Sequence, residues 1–516
     1  MSETGAEPKV RVTLRRGVRE WLRRLVLVSI LLAPSIWMFA KIPPLWRDLD
    51  AYIQVTRSPG SAAYMGHGPL YGMFARVPLF VGAVIEHSGS GTTSFSDPRL
   101  TDTGVALLIA TQHVLLAGAV FSLIMVASGR FGVRIVLAVV WASNPVFPTF
   151  AHCVGSESLS MILVLWLSAA GLWIAKSREQ AAGIAWILFG ILLWLALLVR
   201  HVNLLLVVAL PVALFAAALR HRTRNHLNQA VVATAITAIC IVVAQASLQK
   251  LCRLEDLHYH SRLGFTFLWR LPFLTALPKE TQRRALAKIA RRPMSDDAQK
   301  LIGMLSEMLN EGSRLEAGDL IPRVRTTLFP PGVRWSGDKF DAALNELAVA
   351  FLRPPIAEHR RAAIRDLKAA LRTPLPDPAT SLFETTAYYF TNAESMAACS
   401  GLTTFRNWTA EQLLAMPSAH TYFRLWSGVP YFAGLVVVSA IALLGGLARK
   451  KALEIGFAAS LAGTGVLMVA LTCFIGGILP RYTLPMWETL MIALVICGGA
   501  LADRIAERFS RPAPAA

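Results

Sequence analysis

Apolar positions along this chain are gathered into long unbroken runs, with polar and charged positions confined to the gaps between them. The runs fall at 25–40, 104–128, 135–150, 159–175, 181–199, 202–219, 230–248, 431–447, 455–477 and 485–501. A helix needs roughly 20 apolar residues to cross about 30 Å of hydrocarbon, so the pattern predicts about ten membrane-spanning helices. The fifth and sixth runs would be one overlong span were they not interrupted by Arg200 and His201. The predicted fold class is therefore an all-α polytopic membrane protein.

Lys and Arg set the expected orientation. The N-terminal segment carries Lys9, Arg11, Arg15, Arg16, Arg19, Arg23 and Arg24. Counting spans from there, Arg130 and Arg134, Lys176 and Arg178, Arg220, Arg222 and Arg224, Arg449, Lys450 and Lys451, and Arg504, Arg508 and Arg511 all fall on one side. Basic residues flanking short loops mark the cytoplasmic face. Both termini are thus expected in the cytoplasm of an integral plasma-membrane protein, a bacterial inner membrane being the natural setting. The first run follows basic residues as a signal peptide would, but no small-x-small cleavage site follows it, so it reads as an uncleaved anchor.

Composition agrees and removes one alternative. Of 516 residues, 54% are hydrophobic and only 16% charged, with a mean hydropathy of +0.50. The net charge of +19 would otherwise point to nucleic acid, but much of the excess lies in the loops that fix topology.

Two long segments are left facing outward. The first, 41–103, contains stretches 48–57 and 70–86 with the mixed polarity of helices lying along the interface. The second, 249–428, is long enough for a domain of its own. Within it, 280–290, 296–310, 342–353 and 357–371 place apolar residues at helical spacing, separated by the Pro-rich breaks "LFPPG", "RPPI" and "TPLPDP". The organisation expected is a basic tail (1–24), a seven-span membrane domain (25–248), a mainly helical outer domain (249–428), three further spans (429–502) and a second tail (503–516). Cys252 and Cys399 both fall in the outer segment, where a disulfide is chemically allowed.

Ionisable groups kept close to hydrocarbon are functional candidates by default, and four stretches supply them. "PLWRDLDAYIQ" brings Asp48, Asp50 and Tyr52, followed by "MGHGPLYG" with His67 and Tyr71. The two carboxylates suit a general base or an oxygen ligand set for a divalent cation; acids at a helix N-terminus are the plainer reading. "NPVFPTFAHCVGSESL" brings His152 and Glu157 to the outer surface, Glu157 being equally placed to serve as a first-turn acid of its helix. "LLVRHVN" brings Arg200 and His201, and "GGILPRYTLPMWE" brings Arg481 and Tyr482. Both arginines also suit snorkelling to headgroups. All four stretches lie on one predicted face. Acids beside arginines there suit transfer from a phosphate-linked donor, the acid activating a hydroxyl and the cations stabilising the departing phosphate.

These stretches, in this order and on this side, resemble the GT-C superfamily of polyprenol-phosphate-dependent glycosyltransferases, which includes protein mannosyltransferases and lipid A aminoarabinose transferases. Asp48 and Tyr52 fit the family's Asp-acid-x-x-Tyr spacing, with Leu49 where the second acid would stand; Asp48 and Asp50 fit its Asp-x-Asp form. "HGPLY" is similar to the His/Pro-Pro-Leu-Tyr piece, "NPVFPTFAHCVGSESLS" to the turn leading to an acid (Glu157), "GILLWLALLVR" to the segment ending at Arg200, and "PRYTLP" to the Arg-Tyr-x-x-Pro element. The resemblance covers about 300 residues of membrane domain and leaves the outer domain unmatched. It implies an inverting sugar transfer from a polyprenyl-phosphate donor to a glycan, lipid or protein acceptor of the cell envelope. Asp48 or Asp50 is then the base, and Tyr52, His67, Tyr71, His152, Glu157, Arg200, His201, Arg481 and Tyr482 are substrate-binding residues. Some relatives use a divalent cation, Mg or Mn, for which Asp48, Asp50 and Glu157 are the available ligands.

The competing readings are a transporter or flippase, for which Gln112 and His113 in the second run are mild candidates, and a scaffold that binds envelope glycans. A transporter usually carries internal symmetry, and none is evident. The pair His258 and His260 lacks a third metal ligand at a known spacing.

Overall fold

The computed structural model describes residues 7–47, 58–64, 68–86, 94–95, 100–177, 182–221, 224–259, 262–391, 402, 408–446, 452–477 and 480–509. It is an all-α polytopic membrane protein. Eight helices among the described residues are long and apolar enough to cross a membrane. Seven of the ten runs lie on these eight; the runs 135–150, 181–199 and 431–447 fall on shorter apolar helices.

Chain order begins with α1 (Glu7–Lys41), the short strand β1 (Leu45–Trp46), α2 (Pro59–Tyr64), α3 (Pro69–Glu86) and α4 (Asp102–Ala127). α4 starts where Thr101 caps it, its hydroxyl accepting the Gly104 amide at 3.1 Å, with Asp102 favourably placed in the first turn. α3 covers the stretch expected to lie along the interface; at 18 residues it is about 27 Å long and apolar enough to cross.

The third run does not form one span. It divides into α5 (Phe131–Ala142) and α6 (Val146–Ala151), and α5, of 12 residues, reaches only about 18 Å. Pro145 cannot extend a helix from Asn144, and the carbonyls left open at the break find donors elsewhere. Tyr422 Oη donates to Ala142 O at 2.9 Å and Asn144 O at 3.1 Å, and Trp426 Nε1 donates to Ser143 O at 2.9 Å. After α6, the strand β2 (Cys153–Val154) pairs in parallel with β1, Leu45 opposite Cys153 and Trp46 opposite Val154.

α7 (Ser156–Lys176) and α8 (Ala182–Val199) follow, then a 3₁₀ turn (His201–Val208) leading into α9 (Ala209–His221) and α10 (Arg224–Arg253). The helices of the segment 249–428 include α11 (Lys279–Ala290), α12 (Asp296–Asn310), α13 (Ala317–Leu328), α14 (Gly337–Leu352) and α15 (Ala357–Arg372), close to the four helical stretches read from spacing. Ser295 and Ser336 cap α12 and α14 through Ala298 N and Lys339 N. Residues between Phe267 and Ala362 build a hydrophobic core of their own around Leu305, Leu347 and Phe351. Beyond it, α16 (Asp377–Thr391) and α17 (Ala410–Ala419) contribute Leu382, Phe383 and Leu413 to the core of the membrane helices. The chain closes with α18 (Tyr431–Gly446), α19 (Ala452–Ile475) and α20 (Leu484–Phe509).

Polar contacts identify which helix ends share a side. Lys176, at the end of α7, donates to Val126 O and Ala127 O at the end of α4 (2.7 and 2.8 Å) and pairs with Glu454 at the start of α19 (3.5 Å). Ser128 donates to Asp503, late in α20, at 2.7 Å. The starts of α7 and α20 therefore lie together at the opposite end, and the helix axes pack α7 against α20. His359 of α15 joins the two cores: its Nε2 donates to Phe474 O at 2.8 Å, satisfying a carbonyl in the last turn of α19 that the helix itself leaves open. Cys252 is a buried free thiol with Sγ 3.6 Å from Gly60 O; Cys399 and His260 lie outside the described residues.

Candidate functional site

Glu157 is the centre of the polar end of the bundle. It occupies the first turn of α7, where the acid also faces the positive end of the helix. Sequence placed it at the outer surface; instead it is buried, with 4% exposure. Burial of a carboxylate requires paired charge, and two guanidinium groups provide it. Arg47 approaches both oxygens, Nε to Oε1 at 3.3 Å and Nη1 to Oε2 at 3.4 Å, while Arg200 Nη1 lies 3.4 Å from Oε1. Arg481 stands near enough to add its field to the same carboxylate.

Each cation is delivered by a different element. Arg47 follows β1, whose pairing is continued by Leu45 N donating to His152 O (3.0 Å) and Arg47 N to Val154 O (3.3 Å). Its Nη1 also donates to Ser156 Oγ at 3.2 Å. Arg200 sits in extended conformation between α8 and the 3₁₀ turn, so the interruption visible in sequence is a real break in the helix. Arg481 lies in the 3₁₀ turn Pro480–Thr483 before α20 and donates from Nη1 to Arg47 O at 2.8 Å. That carbonyl belongs to the peptide bond leading into Asp48. The ring of Tyr482 lies 5.3 Å beneath the Arg481 guanidinium.

Two glycines allow this closeness. A Cβ on Gly155 would come within 3.0 Å of Arg47 Cβ and 3.1 Å of Glu157 Oε2. A Cβ on Gly68, in "HGPLY", would fall 1.9 Å from Val199 O, on the peptide bond that leads into Arg200. The glycine in that motif is thus a backbone-packing requirement.

A buried hydrogen-bond network holds the turn from α6 to α7. Tyr71 Oη accepts the Gly155 amide at 2.8 Å and donates to Gln112 Oε1 at 3.2 Å. Ser158 Oγ donates to the same Gln112 oxygen at 2.7 Å, and Gln112 Nε2 donates to Ala151 O and Cys153 O at 2.9 and 3.1 Å. With its amide satisfied on both sides, Gln112 holds loop backbone in place. His152 was also expected at the surface and is buried. Its ring lies between Ile42 O (3.0 Å from Nε2) and His113 Nε2 (3.2 Å from Nδ1). Burial pulls the His152 imidazole down to about 4, the backbone carbonyls of Ile42 and Pro43 opposing the shift, so it is neutral at physiological pH.

Of the residues singled out from sequence, Tyr71, His152, Glu157, Arg200 and Arg481 meet at one end of the bundle, with Tyr482 beside Arg481. His201 is exposed at the start of its 3₁₀ turn. Asp48, Asp50, Tyr52 and His67 lie outside the described residues. Glu157 does not fit a divalent cation as it stands, because both its oxygens face guanidinium groups; among the described residues no group of three His, Cys, Asp or Glu gathers as a metal site. Two members were missed. Arg47 breaks the positive-inside trend as Arg200 does, and Glu488 is an acid inside an apolar run, buried with 4% exposure; both signals were present in sequence.

The described helices and this buried ionic cluster define the class, a helical membrane protein with a polar site at one end of its bundle. No protein-family model and no curated protein matches the sequence. Among solved structures, the chain is similar to the archaeal oligosaccharyltransferase AglB from Archaeoglobus fulgidus in complex with an inhibitory peptide and a dolichol-phosphate, with a TM-score of 0.41 and 12% identity. The similarity covers 95% of this chain, which spans about half (52%) of that one.

Proposed function

We propose that this protein is a membrane glycosyltransferase that transfers a sugar from a polyprenyl-phosphate donor to a cell-envelope acceptor at the outer face of the membrane. The observation that carries the reading is the convergence of Arg47, Arg200 and Arg481 on one buried acid, immediately before Asp48, at a membrane-helix end. Three guanidinium groups gathered around one buried carboxylate at the bilayer boundary are the donor set that suits the phosphate of a lipid-linked donor.

In the proposed reaction, an acceptor hydroxyl attacks the anomeric carbon as the bond from that carbon to the phosphate oxygen breaks. Asp48 or Asp50 takes the hydroxyl proton, and the electron pair leaves on the phosphate oxygen, where Arg200 and Arg481 offset the charge. Attack from the face opposite the phosphate inverts the anomeric centre. Glu157 keeps the arginines in register. The outer helices are assigned to acceptor choice.

The test is a mass-spectrometric comparison of cell-envelope glycans from cells with and without the chain, and from cells carrying Asp48→Asn and Asp50→Asn. Loss of one glycan species in the deletion, reproduced by at least one variant that still inserts normally, is the expected result. Full glycan output from both variants would show that this loop supplies no base.

A further inference from the structure

A groove of about 720 Å³ opens between α9 and α10, away from the ionic site. Its walls include Phe215, Ala216 and Leu219 from α9 and Leu227, Thr234 and Ala235 from α10. Phe215, Leu219 and Leu227 are exposed, so in a bilayer this face meets lipid. Thr234 turns its hydroxyl back to Ala230 O at 2.8 Å, which leaves the groove apolar along its length.

One end of the groove is basic. Arg220 lies four residues after Ala216 and Arg224 three before Leu227, so each continues a lining face by one helical turn. Both arginines are exposed. α9 leads away from the Arg200 end and packs against α19, whose first turn holds Glu454 paired with Lys176. Arg220 and Arg224 therefore stand at the end of the bundle opposite the Glu157 cluster. From Leu219 to Pro211 the lining covers about 12 Å of α9, within the roughly 15 Å of hydrocarbon that one leaflet provides.

Depth and charge together select the occupant. A partner helix would need contact across both leaflets. A second copy docked on this face about a two-fold axis would bring its own arginines against these. A polyprenyl-phosphate donor at Arg200 and Arg481 has its phosphate at the other end. An anionic phospholipid fits, because one acyl chain fills a groove of single-leaflet depth while its phosphate accepts from the guanidinium groups.

We propose that the groove between α9 and α10 binds one anionic phospholipid, its chain against Phe215 and Ala235 and its phosphate on Arg220 and Arg224. This site is independent of the sugar-transfer reading.

Native mass spectrometry tests it on the full chain, released from micelles containing phosphatidylglycerol and phosphatidylcholine with identical acyl chains. Wild type is expected to hold one phosphatidylglycerol about tenfold or more tighter than phosphatidylcholine. Replacing both arginines (Arg220→Gln with Arg224→Gln) should reduce that preference to about twofold or less. Ala235→Phe, which fills the groove, should weaken the first phosphatidylglycerol by about tenfold. In wild type, phosphatidylglycerol with a photoreactive diazirine in its chain should label α9 and α10 above the other lipid-exposed helices. Equal retention of the two lipids overturns the site, as does a preference that survives loss of both arginines or Ala235→Phe, or label spread evenly over the exposed helices. A dimer lost in Ala235→Phe would assign the groove to a second copy, and displacement of phosphatidylglycerol by polyprenyl phosphate would assign it to the donor; either result refutes a phospholipid site.

Discussion

Replacing Glu157 with Ala removes the anion that holds Arg47 and Arg200 at the closed end of the bundle. The consequence can be estimated from three contacts of 3.3, 3.4 and 3.4 Å. At an effective dielectric constant of about 20, each guanidinium–carboxylate pair at that range is worth about 5 kcal/mol in gross attraction. Repulsion between the two cations and the desolvation of all three groups cancel much of this. What the variant loses is set by the charges it strands, and removing one partner of a buried pair costs about 3–5 kcal/mol. Equilibrium unfolding in mixed micelles of graded SDS fraction measures it. Glu157→Gln should lose less, since it keeps an acceptor for Arg47. A double-mutant cycle between Glu157→Gln and Arg200→Gln should return a coupling of about 1 kcal/mol or more. Should Glu157→Ala unfold within about 0.5 kcal/mol of wild type, with an additive cycle, the carboxylate would be solvated and the cluster unimportant to the fold.

Gly68→Ala should destabilise by about 1–3 kcal/mol, because its Cβ meets the Val199 carbonyl and neither backbone can yield cheaply; a variant that melts with wild type would contradict that contact. His359 gives a pH signature. Burial among Phe267, Phe273 and Phe474, with the Arg270 guanidinium nearby, pulls its imidazole down to about 4. The unfolded chain, at about 6.5, takes up the proton first, so stability rises with pH between about 4 and 6.5 and is flat on either side. Thermal unfolding across that window should show a smaller slope for His359→Leu than for wild type; equal slopes would exclude His359 as a contributor.

The membrane class was legible because hydrocarbon thickness imposes a length on each apolar run, and length survives in a linear sequence. The same holds for the helices between 279 and 372, whose spacing and Pro-rich breaks record local geometry. Sidedness was legible in part. Lys176 was read with the basic ends and Glu157 with the opposite face, and the contacts of Lys176 with α4 and α19 place those ends accordingly. The third run misled because apolar content alone does not show where a helix stops. Its break at Ser143–Pro145 is marked locally by Pro145, but the carbonyls left open there find their donors in Tyr422 and Trp426, some 280 residues distant.

The sequence by itself carried Glu157, Arg200 and Arg481 to one end of the bundle, because a run of fixed length sets where its flanking charges fall, although Arg47 and Glu488 were not singled out. Only the tertiary structure decided what those charges do there. Glu157 read equally well as a helix-capping acid or a surface ligand, and Arg200 as a snorkelling cation; pairing in a dry environment turns them into one ionic unit with Arg47. Arg481 is joined to Arg47 through a carbonyl rather than a side chain, a contact that no motif encodes. Depth follows from composition, which is local, whereas burial and pairing depend on which helices pack together.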